Sequence, residues 1–172
     1  MSYAYASVQQ LSKMLKNLDQ WLEKSVEYAK QRGFDPDVLL QARLAPDMLA
    51  LTNQIQIACD GAKFLAARLS GKEAPKHPDT ETTMEQLRAR IRSVQEYLSN
   101  FKTGDFTQSE ERVVPLPFLP VQGKGLAGRD FLTEMNLPNT YFHLCMAYAI
   151  LRHNGVVLGK PDYIGSLNLV DA

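Results

Sequence analysis

Several features that direct a protein to a particular partner are scarce in this sequence. Lysine plus arginine and aspartate plus glutamate number 19 each, so the formal net charge is zero. A basic surface recruits nucleic acid or an acidic membrane, so we expect neither partner. No apolar run approaches the roughly 18 residues of a membrane span. The N-terminal residues also lack the continuous apolar core of a secretory signal.

Cysteine is scarce as well, with 2 in 172 residues. Cys59 and Cys145 lie within apolar helical patterns, where a free thiol behaves as a small hydrophobic group. Two such thiols without a signal peptide favour a reducing cytoplasm over a disulfide framework. The length and the apolar content of 45% predict one cytoplasmic domain over residues 1–172.

Apolar residues recur at steps of three and four in four separate stretches, which is the period of an amphipathic helix. The predicted helices cover about residues 4–31, 47–70, 81–101 and 138–154. Pro46 suits the start of the second, and Thr82 followed by Glu85 resembles a capping box at the start of the third. Four such helices bury their stripes by packing together, so the predicted fold is an all-α four-helix bundle. A coiled-coil dimer is the alternative, but each stripe is short.

Two long connections separate these helices. The first, residues 71–80, is polar and predicted to run extended along the bundle, with His77 as a solvated loop residue. The second runs from Lys102 to Met135 and contains an apolar, proline-broken middle, VVPLPFLPVQGKGLAG. Proline excludes helix and central strand there, so we expect a strap or short hairpin that closes one opening of the bundle.

Within this strap, three glycines spell G-x-G-x-x-G at Gly123, Gly125 and Gly128. The dinucleotide-binding version of this motif follows a strand inside a βαβ unit and has an acidic residue about 20 positions later. Neither feature is present in this sequence. A flexible hinge is therefore the preferred interpretation over a nucleotide site.

The fourth predicted helix is apolar nearly all round, which is typical of a helix buried among others. Asn136 is expected to cap its start and Gly155 to end it in a left-handed conformation. The segment after Gly155, up to Leu169, is expected to pack back onto the bundle through Tyr163 and Ile164. His143 lies in this apolar helix and needs a partner, because burying an unpaired polar group is costly. The expected partner is Gln54 on helix two or a bound ion.

Helix geometry limits which polar residues can act together with His143. His153 is ten residues away, about 15 Å along the axis, and Cys145 points to roughly the opposite side. A helical partner would stand at position 147, which is alanine. Asp47 and Gln54 flank the apolar stripe of helix two, whereas Asp60 falls on its opposite side. Solvated positions are the favoured interpretation for Asp47 and Asp60.

Three segments carry a resemblance to a known family: ARLAPDM at 42–48, YFHLCMAYAILRHNGV at 141–156 and LGKPDYIGSL at 158–167. Over about residues 3–169 the chain resembles a bacterial family of domains of unknown function, number nineteen-ninety-three in that series. The family is placed in the DinB/YfiT-like superfamily of proposed metalloenzymes. The resemblance implies an up-down-down-up bundle, frequent homodimers, and relatives that are metal-dependent hydrolases, isomerases or thiol S-transferases.

Metal sites in that superfamily resemble one histidine from helix two with an H-x-x-x-H pair on helix four. By motif, the first histidine of the pair matches His143, the second falls on Ala147, and the helix-two position falls near Gln54. Catalytic zinc or nickel sites use about three protein ligands. The resemblance therefore implies a degenerate metal site, unless a shifted set adds Asp47, Gln54 or Asp60 to His143.

The leading functional hypothesis is a small-molecule pocket around His143, beneath the strap at residues 110–128. Its candidate residues are His143, Gln54, Asp47 and Tyr148, with Tyr141 beside them. One alternative is a non-catalytic dimeric interaction module whose polar core groups satisfy one another. Another is a metal-dependent hydrolase or thiol S-transferase, as the resemblance implies.

Overall fold

The computed structural model describes residues 2–116 and 123–171. Four long helices dominate it: α1 (Tyr3–Arg32), α2 (Leu51–Ser70), α3 (Met84–Ser99) and α5 (Leu137–His153). The shorter elements are 3₁₀ helices at Pro36–Gln41 and Thr103–Phe106, strands β1 (Val113–Pro115) and β2 (Gly125–Ala127), α4 (Gly128–Asp130), a π-helix at Phe131–Asn136, and α6 (Lys160–Ile164). The predicted all-α bundle is confirmed, and most predicted boundaries lie within a few residues of the observed ones.

Side-chain contacts between α1 and α3 show that these helices run in opposite directions. Gln95 donates to the backbone carbonyl of Ser12, and Arg88 contacts Asp19. Residue numbers thus rise along one helix as they fall along the other. The pair therefore packs as antiparallel neighbours.

The other two helix pairs complete the topology. Residue numbers rise together along α2 and α3: Arg90 contacts the backbone carbonyl of Gln56, and His77 joins Lys63 to Ser93. Along α2 and α5 they run oppositely, because Gln54 meets His143 while Gly61 meets Asn136. The arrangement is up-down-down-up, with α2 and α3 parallel.

One hydrophobic cluster joins all four long helices, and Trp21 lies fully buried within it. The residues that the helical period predicted to be buried together, Leu15, Leu18, Ile55, Ala62, Ile91 and Val94, all belong to this cluster. Burial of apolar area is the main favourable contribution to folding. The periodicity of the sequence therefore identified the core correctly.

Two helix starts differ in detail from the prediction. Helix α2 begins at Leu51, because the chain around Pro46 forms an exposed turn and the Leu51 amide bonds the carbonyl of Ala42. Helix α3 is capped by Thr83, whose hydroxyl accepts from the Gln86 amide. The capping box therefore lies one residue later than the predicted pair.

The strap forms the expected short hairpin, in which Val113 pairs with Ala127 and Pro115 with Gly125. Its middle residues, 117–122, lie outside the described residues. The hinge interpretation is wrong for two glycines. A Cβ at Gly125 would lie 2.5 Å from the carbonyl oxygen of Val114, and one at Gly128 would lie 1.8 Å from that of Ser109. These glycines permit close backbone packing.

Helix α5 differs from its prediction at its start and on one face. The chain is already helical from Gly128, so Asn136 has helical backbone angles and makes no side-chain cap. One face of α5 is also open: Phe142 is 51% exposed and Cys145 is exposed. The described part of the chain contains no helix that is both long and apolar enough to cross a membrane.

The C-terminal segment packs back onto the bundle only in part. Gly155 has the expected positive φ of 92°. Tyr163 then stacks on Trp21, and Asn17 donates to the Tyr163 carbonyl. Beyond α6 the chain turns outward and Leu169 is 85% exposed. The predicted packing is therefore confirmed for Tyr163, but it is wrong for Ile164, which is 40% exposed, and for the last residues.

Candidate functional site

The predicted contact between helix four and helix two is present. The Nδ1 atom of His143 on α5 lies 2.7 Å from Oε1 of Gln54 on α2. His143 is 8% exposed, and Gln54 is almost completely buried. The Nε2 amide of Gln54 donates in turn to the carbonyl oxygen of Leu49, at 3.0 Å. Gln54, the predicted hydrogen-bond partner of the buried His143, is therefore confirmed.

This chain of hydrogen bonds fixes the tautomer of His143. The carbonyl of Leu49 only accepts, so it orients the Gln54 amide nitrogen toward itself and the Gln54 oxygen toward the imidazole. Nδ1 of His143 must then carry the proton, and Nε2 carries a lone pair. Among the described residues, nothing donates a hydrogen bond to Nε2. The site thus presents one uncommitted acceptor.

The protonation state of His143 follows from its burial and from its neutral partner. Burial lowers the pKa of His143 below its ordinary value. Gln54 is neutral and offers no charge to restore that pKa, as a carboxylate would. The imidazole is therefore neutral near pH 7.

Helices α2 and α5 approach each other closely at Gly61, about two helical turns after Gln54 along α2. A Cβ on Gly61 would lie 2.1 Å from Oγ1 of Thr140. Thr140 bonds the Asn136 carbonyl, and the Asn136 amide donates to the Gly61 carbonyl at 3.0 Å. The sequence patterns indicated a capping role for Asn136 and did not indicate Gly61 or Thr140, although a glycine inside a long helix is a signal of close approach.

The residues present do not fit a three-ligand metal centre. Ala147 is buried where a second ligand of the superfamily would stand. Both polar atoms of the Gln54 amide are engaged, and Asp47 lies in an exposed turn. Asp60 is paired with Lys63 and Arg90, each at 2.8 Å. Within residues 2–116 and 123–171, no three His, Cys, Asp or Glu side chains converge as a metal site.

The remaining pocket candidate lies elsewhere on α5. Tyr148 packs edge-on against Trp21, with 5.5 Å between ring centroids, and also against Tyr163. Five residues along a helix turn it through about 140°, so Tyr148 and His143 point in different directions. Of the predicted candidates, the structure brings together His143 and Gln54. Asp47 and Tyr148 are placed apart from them. The expected cover by the strap is wrong for its described ends, because Ser109 and Gly128 lie beside Leu69, about 22 Å along α2 from Gln54.

A second polar cluster lies on the opposite side of α2, toward α3, and sequence analysis missed it. Lys63 is 2% exposed, and the Arg90 guanidinium is equally buried. Arg90 contacts three carboxylates, those of Asp60, Asp79 and Glu81. Buried charges are rare unless paired in this way. Asp60 is thus an ion-pair member, where a solvated position had been expected.

His77 joins this cluster, contrary to the expectation of a solvated loop residue. Its Nδ1 atom lies 3.1 Å from the Lys63 ammonium, and its Nε2 atom lies 3.4 Å from the Ser93 hydroxyl. Burial lowers the pKa of His77, and the charges of Lys63 and Arg90 lower it further. The connection between α2 and α3 is therefore attached through its histidine.

Comparisons with known proteins agree with this architecture. Residues 3–164 match the sequence model of a family described as "Domain of unknown function (DUF1993)". A crystal structure of a DinB family member protein from Shewanella denitrificans is 47% identical, with a TM-score of 0.91 over 96% of this chain and 93% of that one. No curated protein matches the chain. The chain therefore belongs to the DUF1993 family and is DinB-like.

Proposed function

We propose that this DinB-like protein binds a small molecule at His143. The observation that supports this proposal is the uncommitted lone pair on Nε2, held in place by the Leu49–Gln54–His143 hydrogen bonds. Ligand sites combine apolar walls with a few oriented polar groups. An acceptor that is fixed in direction and faces no protein donor among the described residues has this character.

The neighbouring side chains suggest the chemistry of the ligand. Phe142 packs edge-on against the His143 ring, with 5.3 Å between centroids, and is half exposed. Leu49, whose carbonyl orients Gln54, also has an exposed side chain. We infer a ligand with an apolar body and one hydroxyl or amide N–H that donates to Nε2.

The partner of His143 favours binding over proton transfer. Catalytic histidines are commonly oriented by a carboxylate, which raises the basicity of the imidazole. Gln54 orients His143 without adding charge, and burial keeps its pKa low. The donor set also does not fit a three-ligand metal centre, so we propose no metal-dependent hydrolysis or thiol transfer.

Two substitutions distinguish the roles of the two ring nitrogens of His143. In the His143→Asn variant, the amide nitrogen takes the place of Nδ1 and still donates to Gln54, but Nε2 is lost. In the His143→Gln variant, the amide lies near the place of Nε2 and the bond to Gln54 is lost. The probes are small phenols, alcohols and anilides, added to protein with 15N-labelled histidine.

Donor-bearing fragments should shift the Nε2 resonance of His143 in the original chain. Binding should disappear in His143→Asn, although that variant keeps the better-preserved fold. Fragment binding that survives in His143→Asn contradicts the proposal. So does about one tightly held zinc or nickel ion per chain that is lost with His143, because that result restores the metal site.

A second candidate role, supported by the open face of α5, is a homodimeric interaction module. Phe142 and Cys145 are exposed there on a helix that is otherwise apolar. We propose that a second copy covers this face. Sedimentation should show a dimer that Phe142→Asp dissociates, whereas Leu167→Asp, at an exposed position on the C-terminal segment, should not. A monomer at all concentrations contradicts this proposal.

A further inference from the structure

The connection between α2 and α3, residues 71–83, is here called the crossing segment. The structure describes all of its residues, and none belongs to the hydrophobic cluster of the bundle. Its attachments are polar: Tyr97 bonds the Glu73 carbonyl, His77 contacts Lys63, and Asp79 and Glu81 contact Arg90. The segment is therefore held by hydrogen bonds and charges.

Between α2 and the crossing segment lies an open groove with a volume of about 940 Å³. Phe64 and the buried Lys63 form its α2 wall, and residues 73–78 form the other. Lys63 also lies 4.8 Å from the centre of the Phe64 ring. His77 is the residue that joins the two walls.

The protonation of His77 is fixed by its partner. The Lys63 ammonium only donates, so Nδ1 of His77 must be the acceptor and Nε2 must carry the proton toward Ser93. A second proton on His77 would place an N–H on Nδ1, directly against the ammonium. The contact therefore exists only for neutral His77.

The Lys63 ammonium cannot move away from a protonated His77 without losing its own contacts. It is buried, and its one anionic partner among the described residues, Asp60, is shared with Arg90. The charged groups around His77 are the cations Lys63 and Arg90 and the anions Asp60, Asp79 and Glu81. Groove residues Lys76 and Glu73 carry opposite charges on the same wall. Asp60, Asp79 and Glu81 each direct a carboxylate oxygen at Arg90, and no carboxylate of the described residues forms an ion pair with His77.

We propose that the Lys63–His77 contact is an acid-released latch: protonation of His77 detaches residues 74–78, between the Tyr97–Glu73 bond and the Asp79–Arg90 contact, and opens the groove along α2. The Asp79 and Glu81 contacts to Arg90 do not need His77 and hold the remainder of the crossing segment in place. Opening is confined to one wall of the groove. The bundle itself stays folded.

The test is amide mobility of residues 74–78, measured by heteronuclear NOE and hydrogen exchange between pH 8 and pH 5, with exchange corrected for its intrinsic pH dependence. If one proton is taken up on opening, the open fraction should rise about tenfold per pH unit below the unperturbed histidine value of about 6.5. His77→Asn keeps an acceptor at the place of Nδ1 and cannot take up a proton. In that variant, mobility should not depend on pH.

A control variant and a direct titration of His77 test whether the pH response belongs to His77. His153→Asn changes an exposed histidine elsewhere and should leave the pH response of the crossing segment intact. Direct NMR titration of His77 in the original chain should give a pKa below 6.5, whatever the fate of the variants. A pH response that persists in His77→Asn, or a His77 that titrates at or above 6.5, overturns the latch.

Discussion

Helix α2 buries polar side chains on two of its faces, and it does so in two different ways. Toward α5 the contacts are neutral: Gln54 with His143, and Gly61 with Asn136. Toward α3 they are ionic, and Lys63 and Arg90 meet carboxylates. The neutral face leaves one nitrogen of His143 without a protein donor among the described residues, whereas the ionic face engages its charges with one another.

This difference separates a face suited to binding from a face suited to holding the chain together. A hydrogen bond between neutral groups buries no charge, and it leaves the other nitrogen of an imidazole available. Buried ions need partners, because an unpaired buried charge is costly. Arg90 has three carboxylate partners, although its buried Nε has no hydrogen-bond partner among the described residues. The ionic face therefore depends on its ion pairs, whereas the neutral face leaves Nε2 of His143 available for the binding role proposed above.

The ionic face should give the largest loss of stability. Arg90→Met removes the partner shared by three carboxylates, and removing one member of a buried pair costs about 3–5 kcal/mol of unfolding free energy. Arg92→Met is the matched control, since Arg92 pairs with Glu85 in an exposed bridge worth about 0–1 kcal/mol. Urea unfolding measures both. Equal losses would mean that the buried network contributes no more to stability than an exposed ion pair.

The neutral face should respond next to changes in volume. Gly61→Val forces branched carbons against the Thr140 side chain, and overpacking of this kind costs about 1–3 kcal/mol. Gly104→Val places the same side chain where nothing lies within 4 Å of the Cβ position. Thermal unfolding should show a lower midpoint for the first variant alone. A Gly61→Val variant as stable as the original would show that α2 and α5 can separate freely.

The hydrogen bond on the neutral face should have a smaller effect. His143→Ala leaves the buried Gln54 oxygen without its donor, and an unsatisfied buried group costs about 1–3 kcal/mol. The cavity left by the ring adds to this loss. His143→Asn retains a donor and should unfold at a higher urea midpoint than His143→Ala. The reverse order would show that Gln54 does not depend on this contact.

The smallest effect is the pH dependence that the two histidines share. Their pKa values are lowered in the folded chain, so the unfolded chain takes up protons first as the pH falls below about 6.5. Stability should therefore be full above that pH and decline below it, toward the lowered pKa values. Urea midpoints from pH 8 to pH 5 measure this slope. The double variant His77→Asn/His143→Asn should show a smaller slope, and an unchanged one would assign the effect to other groups.

The sequence predicted the apolar core and the His143–Gln54 contact, because both follow from helical period and from the cost of burying a lone imidazole. It could not predict the ionic face. Asp60 and Arg90 lie 30 residues apart on different helices, and each has the spacing of an ordinary solvated residue. Only the parallel arrangement of α2 and α3 brings them together. The close approach at Gly61 was likewise missed, because Thr140 is remote in sequence.

The docking of α6 has a practical consequence for observing this protein. Trp21 is the single tryptophan of the chain, its ring stacks on Tyr163, and its indole N–H donates to the Asp162 carbonyl at 3.0 Å. All tryptophan fluorescence of the protein therefore comes from a side chain that contacts the C-terminal segment. Release of that segment exposes the indole to water and shifts its emission to longer wavelength, so the chain contains an intrinsic fluorescent reporter of its own C-terminal attachment.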